Sequence, residues 1–142
     1  MITRTASARY EGFGKEGKGR VSTGSGVLKE QGYSFGTRFE GAPGTNPEEL
    51  VAAAHASCFT MALSFALAKE GLTDGTLETT AKVKLEPEGE GFKVSRSDLT
   101  LTAQVAGIDE DRFRTIAEGA KANCPISKLL NAEIGFEWTL NG

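Results

Sequence analysis

Two cysteines are the residues best suited to chemistry in this chain. Cys58 stands in "NPEELVAAAHASCFTMALSFALA", residues 46–68, a segment that carries no formal charge from Leu50 to Ala68. Cys124 stands in "NCPISKLL", directly before Pro125. A cysteine reacts as its thiolate, and an ordinary thiol with pKa about 8.5 is only a few per cent ionised at pH 7. Each cysteine therefore raises the same question: what would hold the negative charge?

For Cys124 the answer is local. Its position before a proline suits the N-cap of a short helix, where free N–H groups and the helix dipole favour a thiolate. It also suits a plain capping position. Cys58 is different. Leu50, Ala54, Cys58, Met61, Phe65 and Ala68 recur at helical spacing, so Cys58 either packs as a small hydrophobe or serves as a nucleophile that needs help. The dipole gives none, because Cys58 lies roughly 17 Å along the helix from Pro47 and the effect fades within a turn. A guanidinium about 4 Å away would contribute roughly 4 kcal/mol at an effective dielectric of 20. Arg38, in "GTRFEG", is the first choice and Arg20 the second. An arginine in an apolar pocket needs a counter-ion, which Glu48 or Glu49 can supply. Both glutamates equally suit a solvated helix start.

His55, three residues before Cys58, would be the base of a Cys–His hydrolase or a metal ligand with both cysteines. Three soft ligands on distant elements make a weak zinc signature. We therefore expect His55 to be a hydrogen-bonded core or pocket residue, with no metal and no cofactor.

The elements that must position these residues follow from patterning. "ARYEGF", "RVSTGSGVL" and "YSFGTRFE" read as short strands joined by glycine turns. Asn46 caps a helix with Pro47 at N1 and Glu49 at N3, which runs to about Glu70 and stops at Gly71. "TLETTAKVKLEPE" alternates as a half-buried strand. "GFKVSRSDLTLTAQVAG" alternates too, with a phase slip that predicts a bulge near Ser95–Asp98. A helix capped by Asp109 carries Phe113, Ile116, Ala117 and Ala120 on one face. "CPISKLL" is a short helix and "EIGFEWTL" a closing strand. The order βββ–α–ββ–α–α–β implies an α+β domain with mainly antiparallel sheet.

The 142 residues fit one domain. A net charge of −3 with no basic stripe excludes a nucleic-acid partner. The polar N-terminus "MITRTASARYEGFGKEG" gives no signal peptide, so a reducing, cytoplasmic setting is expected. The Leu50–Ala68 run is long enough to raise a membrane span. Its His, Ser and Thr residues, its many alanines and its Glu-bearing flank favour a core helix instead, and no membrane partner is expected.

"TRFEGAPGTNPEELVAAAHASCFTMALSFALAKEG", with "NCPISKLLNAEI" downstream, closely resembles the osmotically inducible protein C / organic hydroperoxide resistance family (OsmC/Ohr). The resemblance covers essentially the whole chain, residues 1–142, as one OsmC-like domain. It implies mainly antiparallel sheets wrapped around a long central Cys-bearing helix, in an intertwined homodimer. It further implies a thiol peroxidase acting on organic hydroperoxides: Cys58 attacks the peroxide, and Cys124 resolves the sulfenic acid as a Cys58–Cys124 disulfide. Arg38 and Glu48 would form the polar network around the thiolate. An arginine in "TRFEG" resembles the OsmC branch, whereas the Ohr branch takes its arginine from the N-terminal loop, close to Arg20. A dithiol reductant, of lipoyl type in relatives, is also implied. The contrasting reading is a non-catalytic binding module for small apolar ligands, which leaves Cys124 and the Arg–Glu pair without a role.

Spacing adds a reason for the homodimer. Glu48 and Cys58 are ten residues apart on one predicted helix, about 15 Å along its axis and rotated by roughly 80°. A single guanidinium reaches both only at full stretch, whereas an antiparallel partner helix would bring the other chain's Glu48 beside Cys58.

Overall fold

The computed structural model describes residues 1–142. Three N-terminal strands, β1 (Ala6–Glu11), β2 (Lys18–Thr23) and β3 (Gln31–Tyr33), pair antiparallel in that order. A single turn of 3-10 helix, Gly14–Glu16, lies between β1 and β2. The strand expected over "YSFGTRFE" does not form beyond Tyr33; helix α1 (Phe35–Phe39) follows instead. Its cause is a capping box. The Ser34 hydroxyl accepts from the Thr37 N–H at 3.2 Å, and the Thr37 hydroxyl accepts from the Ser34 N–H at 2.9 Å. Strand β2 likewise ends at Thr23, where the Thr23 hydroxyl accepts from the Leu28 N–H and closes a turn.

Helix α2 (Pro47–Lys69) begins as expected: the Asn46 carboxamide accepts from the Glu49 N–H at 2.8 Å. It ends in a Schellman motif. Gly71, at φ +82°, donates to the Ala68 carbonyl, and Leu72 donates to the Leu67 carbonyl. Strands β4 (Gly75–Glu88) and β5 (Gly91–Val105) form a long antiparallel hairpin, and β6 (Glu133–Leu140) adds to β5 in parallel. Helices α3 (Glu110–Asn123) and α4 (Pro125–Leu129) make the crossover between β5 and β6. Asp109 caps α3 by accepting from the Arg112 N–H. The sheets are thus antiparallel except for the β5–β6 pair, within the expected α+β class.

The expected bulge is real. The pairing skips Ser95, with Lys84 opposite Arg96 and Leu85 opposite Val94. The extra residue shifts the side-chain phase, so that Ser97, Leu99, Leu101, Ala103 and Val105 all face the core.

By density of contacts the chain divides into two units, Met1–Leu50 and Val51–Gly142. The second unit holds the hydrophobic core. Phe59, Leu63 and Leu67 of α2, and Phe113, Ala117 and Ala120 of α3, pack with the buried face of β5. Two edge-to-face or tilted aromatic pairs fix the helices on β6: Phe59 with Phe136 at 5.2 Å, and Phe113 with Trp138 at 5.1 Å. The row of α2 that enters this core is His55, Phe59, Leu63 and Leu67. The stripe read from the sequence is not the buried row: none of its six residues is fully buried, and Met61 and Phe65 are exposed, at 63% and 69%. Cys58 lies at the edge between the two rows and is half-buried.

Candidate active site

Both cysteines belong to the Val51–Gly142 unit, and no disulfide joins them. The fold brings them together from α2 and from the α3–α4 junction, closely enough that each thiol acts on the other's ionisation. Their environments differ. Cys124 is completely buried, whereas Cys58 is half-buried. Of the two thiols, Cys58 is the one partly open to solvent.

Their electrostatics differ as well. Burial raises the Cys58 pKa, and the neighbouring Cys124 raises it further; the Ile126 N–H acts in the other direction but does not prevail. Burial also opposes ionisation of Cys124. There, however, the Cys58 thiol, the N–H and hydroxyl of Ser127, and the N–H of Ile126 together bring the pKa below the ordinary thiol value. The Cys124 sulfur makes no capping hydrogen bond of good geometry to α4. It still senses the donors at that helix start, as the Cys–Pro sequence led us to expect.

His55 is fully buried and hydrogen-bonded at both ring nitrogens, as expected of a core histidine. Its Nδ1 lies 2.6 Å from the Ser97 Oγ and its Nε2 lies 2.8 Å from the Ser127 Oγ. Burial lowers its pKa, so the ring is neutral at pH 7. The two serines are site neighbours that sequence reasoning missed. Ser127 sits three residues after Cys124, a helical spacing that could have flagged it. Ser97 is brought to the core face only by the bulge at Ser95.

The charged residues lie in the Met1–Leu50 unit. Arg38, in the last turn of α1, holds Glu48 in a bidentate ion pair: Nε to Oε1 is 2.9 Å and Nη2 to Oε2 is 2.8 Å. The hydrogen bond to Glu48 outweighs partial burial and raises the Arg38 pKa, keeping the guanidinium charged. The Glu48 side chain is 13% exposed. Glu49, by contrast, accepts from the Thr45 hydroxyl at 2.8 Å. Arg20 lies exposed on β2, opposite Arg9 and Gly32. Of the two candidate arginines, Arg38 is the one that engages the first glutamate of "NPEEL".

The family model "OsmC-like protein" matches residues 39–139. The chain is 49% identical over 139 residues to peroxiredoxin OsmC of Escherichia coli (strain K12), covering 98% of this chain and 97% of that protein. It superposes on the crystal structure of the organic hydroperoxide resistance protein OhrB of Bacillus subtilis with a TM-score of 0.71 at 27% identity, covering 97% and 98% of the two chains. An organic hydroperoxide resistance protein from Elizabethkingia anophelis superposes with a TM-score of 0.76 at 27% identity, covering 99% and 98%.

Proposed function

The chain belongs to the OsmC-like protein family, and from that premise we propose that it is a cysteine-based peroxidase that reduces organic hydroperoxides to alcohols. The named relatives support a peroxide-reducing role. One observation supports the finer reading: two thiols lie near enough to act on each other's ionisation, one half-buried and one fully buried. A binding module has no use for such a pair.

In this reading the Cys58 thiolate attacks the distal oxygen of the hydroperoxide. The O–O bond breaks, the alkoxide leaves and takes a proton to become an alcohol, and Cys58 becomes a sulfenic acid. The Cys124 thiolate then attacks the Cys58 sulfur. The S–O bond breaks, hydroxide leaves as water after protonation, and the disulfide closes. A dithiol, of lipoyl type in this reading, reduces it again. Because its own surroundings raise the Cys58 pKa, Cys58 needs a cation. Arg38, oriented by Glu48, supplies it and also stabilises the departing alkoxide.

The exposed Met61 and Phe65 on α2 bear on assembly. By length and composition α2 is apolar enough to cross a membrane, and only a minority of its residues are buried. A second copy of the chain, packed antiparallel on this face, would cover it and bring its own Arg38–Glu48 pair to Cys58. The OsmC-like family model matches residues 39–139, which supports reading the chain as one OsmC-like domain.

The test is peroxide consumption by the purified protein with dihydrolipoamide, then with thioredoxin. Cumene hydroperoxide and a lipid hydroperoxide are compared with hydrogen peroxide. Burying a few methylenes at ~0.8 kcal/mol each gives a preference for the organic substrates of about tenfold or more. Equal efficiencies would defeat the assignment of substrate class.

A further inference from the structure

Three buried polar side chains form a line inside the Val51–Gly142 unit. Ser97 on β5, His55 on α2 and Ser127 on α4 are joined through the two ring nitrogens, at 2.6 Å and 2.8 Å. His55 and Ser97 are fully buried, and Ser127 is 8% exposed. The line ends at α4, where Ser127 occupies the third helical position, one turn from the buried Cys124 at the N-cap. Buried polar groups are costly unless each is satisfied, and a fully connected set defines a unique arrangement.

We propose that His55 is a positioning residue for the resolving cysteine, holding the Ser127 hydroxyl as a hydrogen-bond donor to the Sγ of Cys124. This rests on the reading of Cys124 as the resolving thiol. The direction of each hydrogen bond follows from donor and acceptor inventory. A thiolate only accepts, so Ser127 gives its hydroxyl proton to the sulfur. The Ser127 oxygen then accepts from Nε2–H. A neutral imidazole has one donor and one acceptor nitrogen, so Nδ1 accepts the hydroxyl proton of Ser97. Every donor points toward the sulfur. Burial keeps the ring neutral and so preserves this order, since an imidazolium would donate at both nitrogens.

The other groups acting on Cys124 are the Cys58 thiol of α2 and the N–H groups of Ile126 and Ser127. From β5, Arg96 and Asp98 flank Ser97 but pair with each other at 2.8 Å. Alternation along the strand places them on the opposite face from Ser97. The donor line is therefore the neutral part of the environment that side-chain substitution can remove selectively.

The decisive experiment titrates the Cys124 thiolate by its ultraviolet absorbance in the Cys58→Ala protein, where it is the only thiol. Ser127→Ala is expected to raise the midpoint and lower the thiolate fraction at neutral pH about tenfold. His55→Phe is expected to act in the same direction. His55→Gln, whose amide can donate toward Ser127 and accept from Ser97, should restore much of the fraction lost in His55→Phe. An unchanged or lowered midpoint in Ser127→Ala, which loses one oxygen and should fold, overturns the proposal. A shift in Ser127→Ala with none in His55→Phe overturns the role of His55. The titration needs no peroxide. A wild-type protein that forms no Cys58–Cys124 disulfide with organic hydroperoxide would instead defeat the functional reading, leaving the titration to decide the place of His55.

Discussion

At the scale of the residue, accessibility and ionisation point to different cysteines. Cys58 is the more exposed of the two, while Cys124 is the one whose surroundings favour a thiolate. The proposed mechanism reconciles them by order of events. Cys58→Ser should abolish peroxide reduction, because only a thiolate attacks the O–O bond effectively. Cys124→Ser should still complete one turnover and leave a sulfenic or over-oxidised Cys58, seen by mass spectrometry. The opposite pattern would exchange the two roles. Arg38→Ala should slow alkylation of Cys58 about tenfold at neutral pH by raising its pKa. If Arg20→Ala does so and Arg38→Ala does not, Arg20 serves the thiolate. His55 also makes stability depend on pH. Its folded-state pKa lies below the unfolded one, so protonation favours the unfolded chain. Its contribution is complete above about pH 6.5 and is lost as pH falls below that value. Urea midpoints should decline over that range, and His55→Gln should flatten the decline.

At the scale of the element, helix ends and one bulge do most of the positioning. The α1 capping box at Ser34 and Thr37 turns the chain into a helix where strand propensity would have continued, and so places Arg38 in a last turn beside Glu48. Gly71 stops α2 in the left-handed region with open space around it. Gly71→Ala therefore meets no clash and should cost only backbone strain, about 1 kcal/mol, measurable by urea denaturation. Thr60 ties α2 to β4, its hydroxyl donating to Thr79 at 2.7 Å. The bulge at Ser95 sets the phase of all of β5 beyond it, and with it the inward aim of Ser97.

At the scale of the whole molecule, the exposed Met61 and Phe65 of α2 are what the proposed second copy of the chain would cover. Mixed dimers of Cys58→Ser and Glu48→Ala chains, refolded together, check it. If the site is shared, one site in each heterodimer contains both wild-type residues, and activity returns relative to either parent. No recovery in proven heterodimers would show that both residues act within one chain.

The sequence by itself determined the long helix and both its ends, the two-strand hairpin with its phase slip, the capped α3 and the pairing of Arg38 with Glu48. Each of these depends on interactions within a few residues, on periodicity, or on a family pattern written in "TRFEG" and "NPEEL". It did not determine which side of α2 is buried. With apolar or small residues almost all round, the helix has no polar face to mark the outside, so packing against Phe136 and the β5 face selects His55, Phe59, Leu63 and Leu67 over Met61 and Phe65. Nor did it reveal that Ser97 and Ser127 meet at His55, since they lie 42 and 72 residues away in the chain. A serine carries no periodic signal of its own. Only the register of β5, the crossover through α3 and α4, and the exclusion of water from the core bring these hydroxyls to one imidazole, where an unsatisfied nitrogen would be costly.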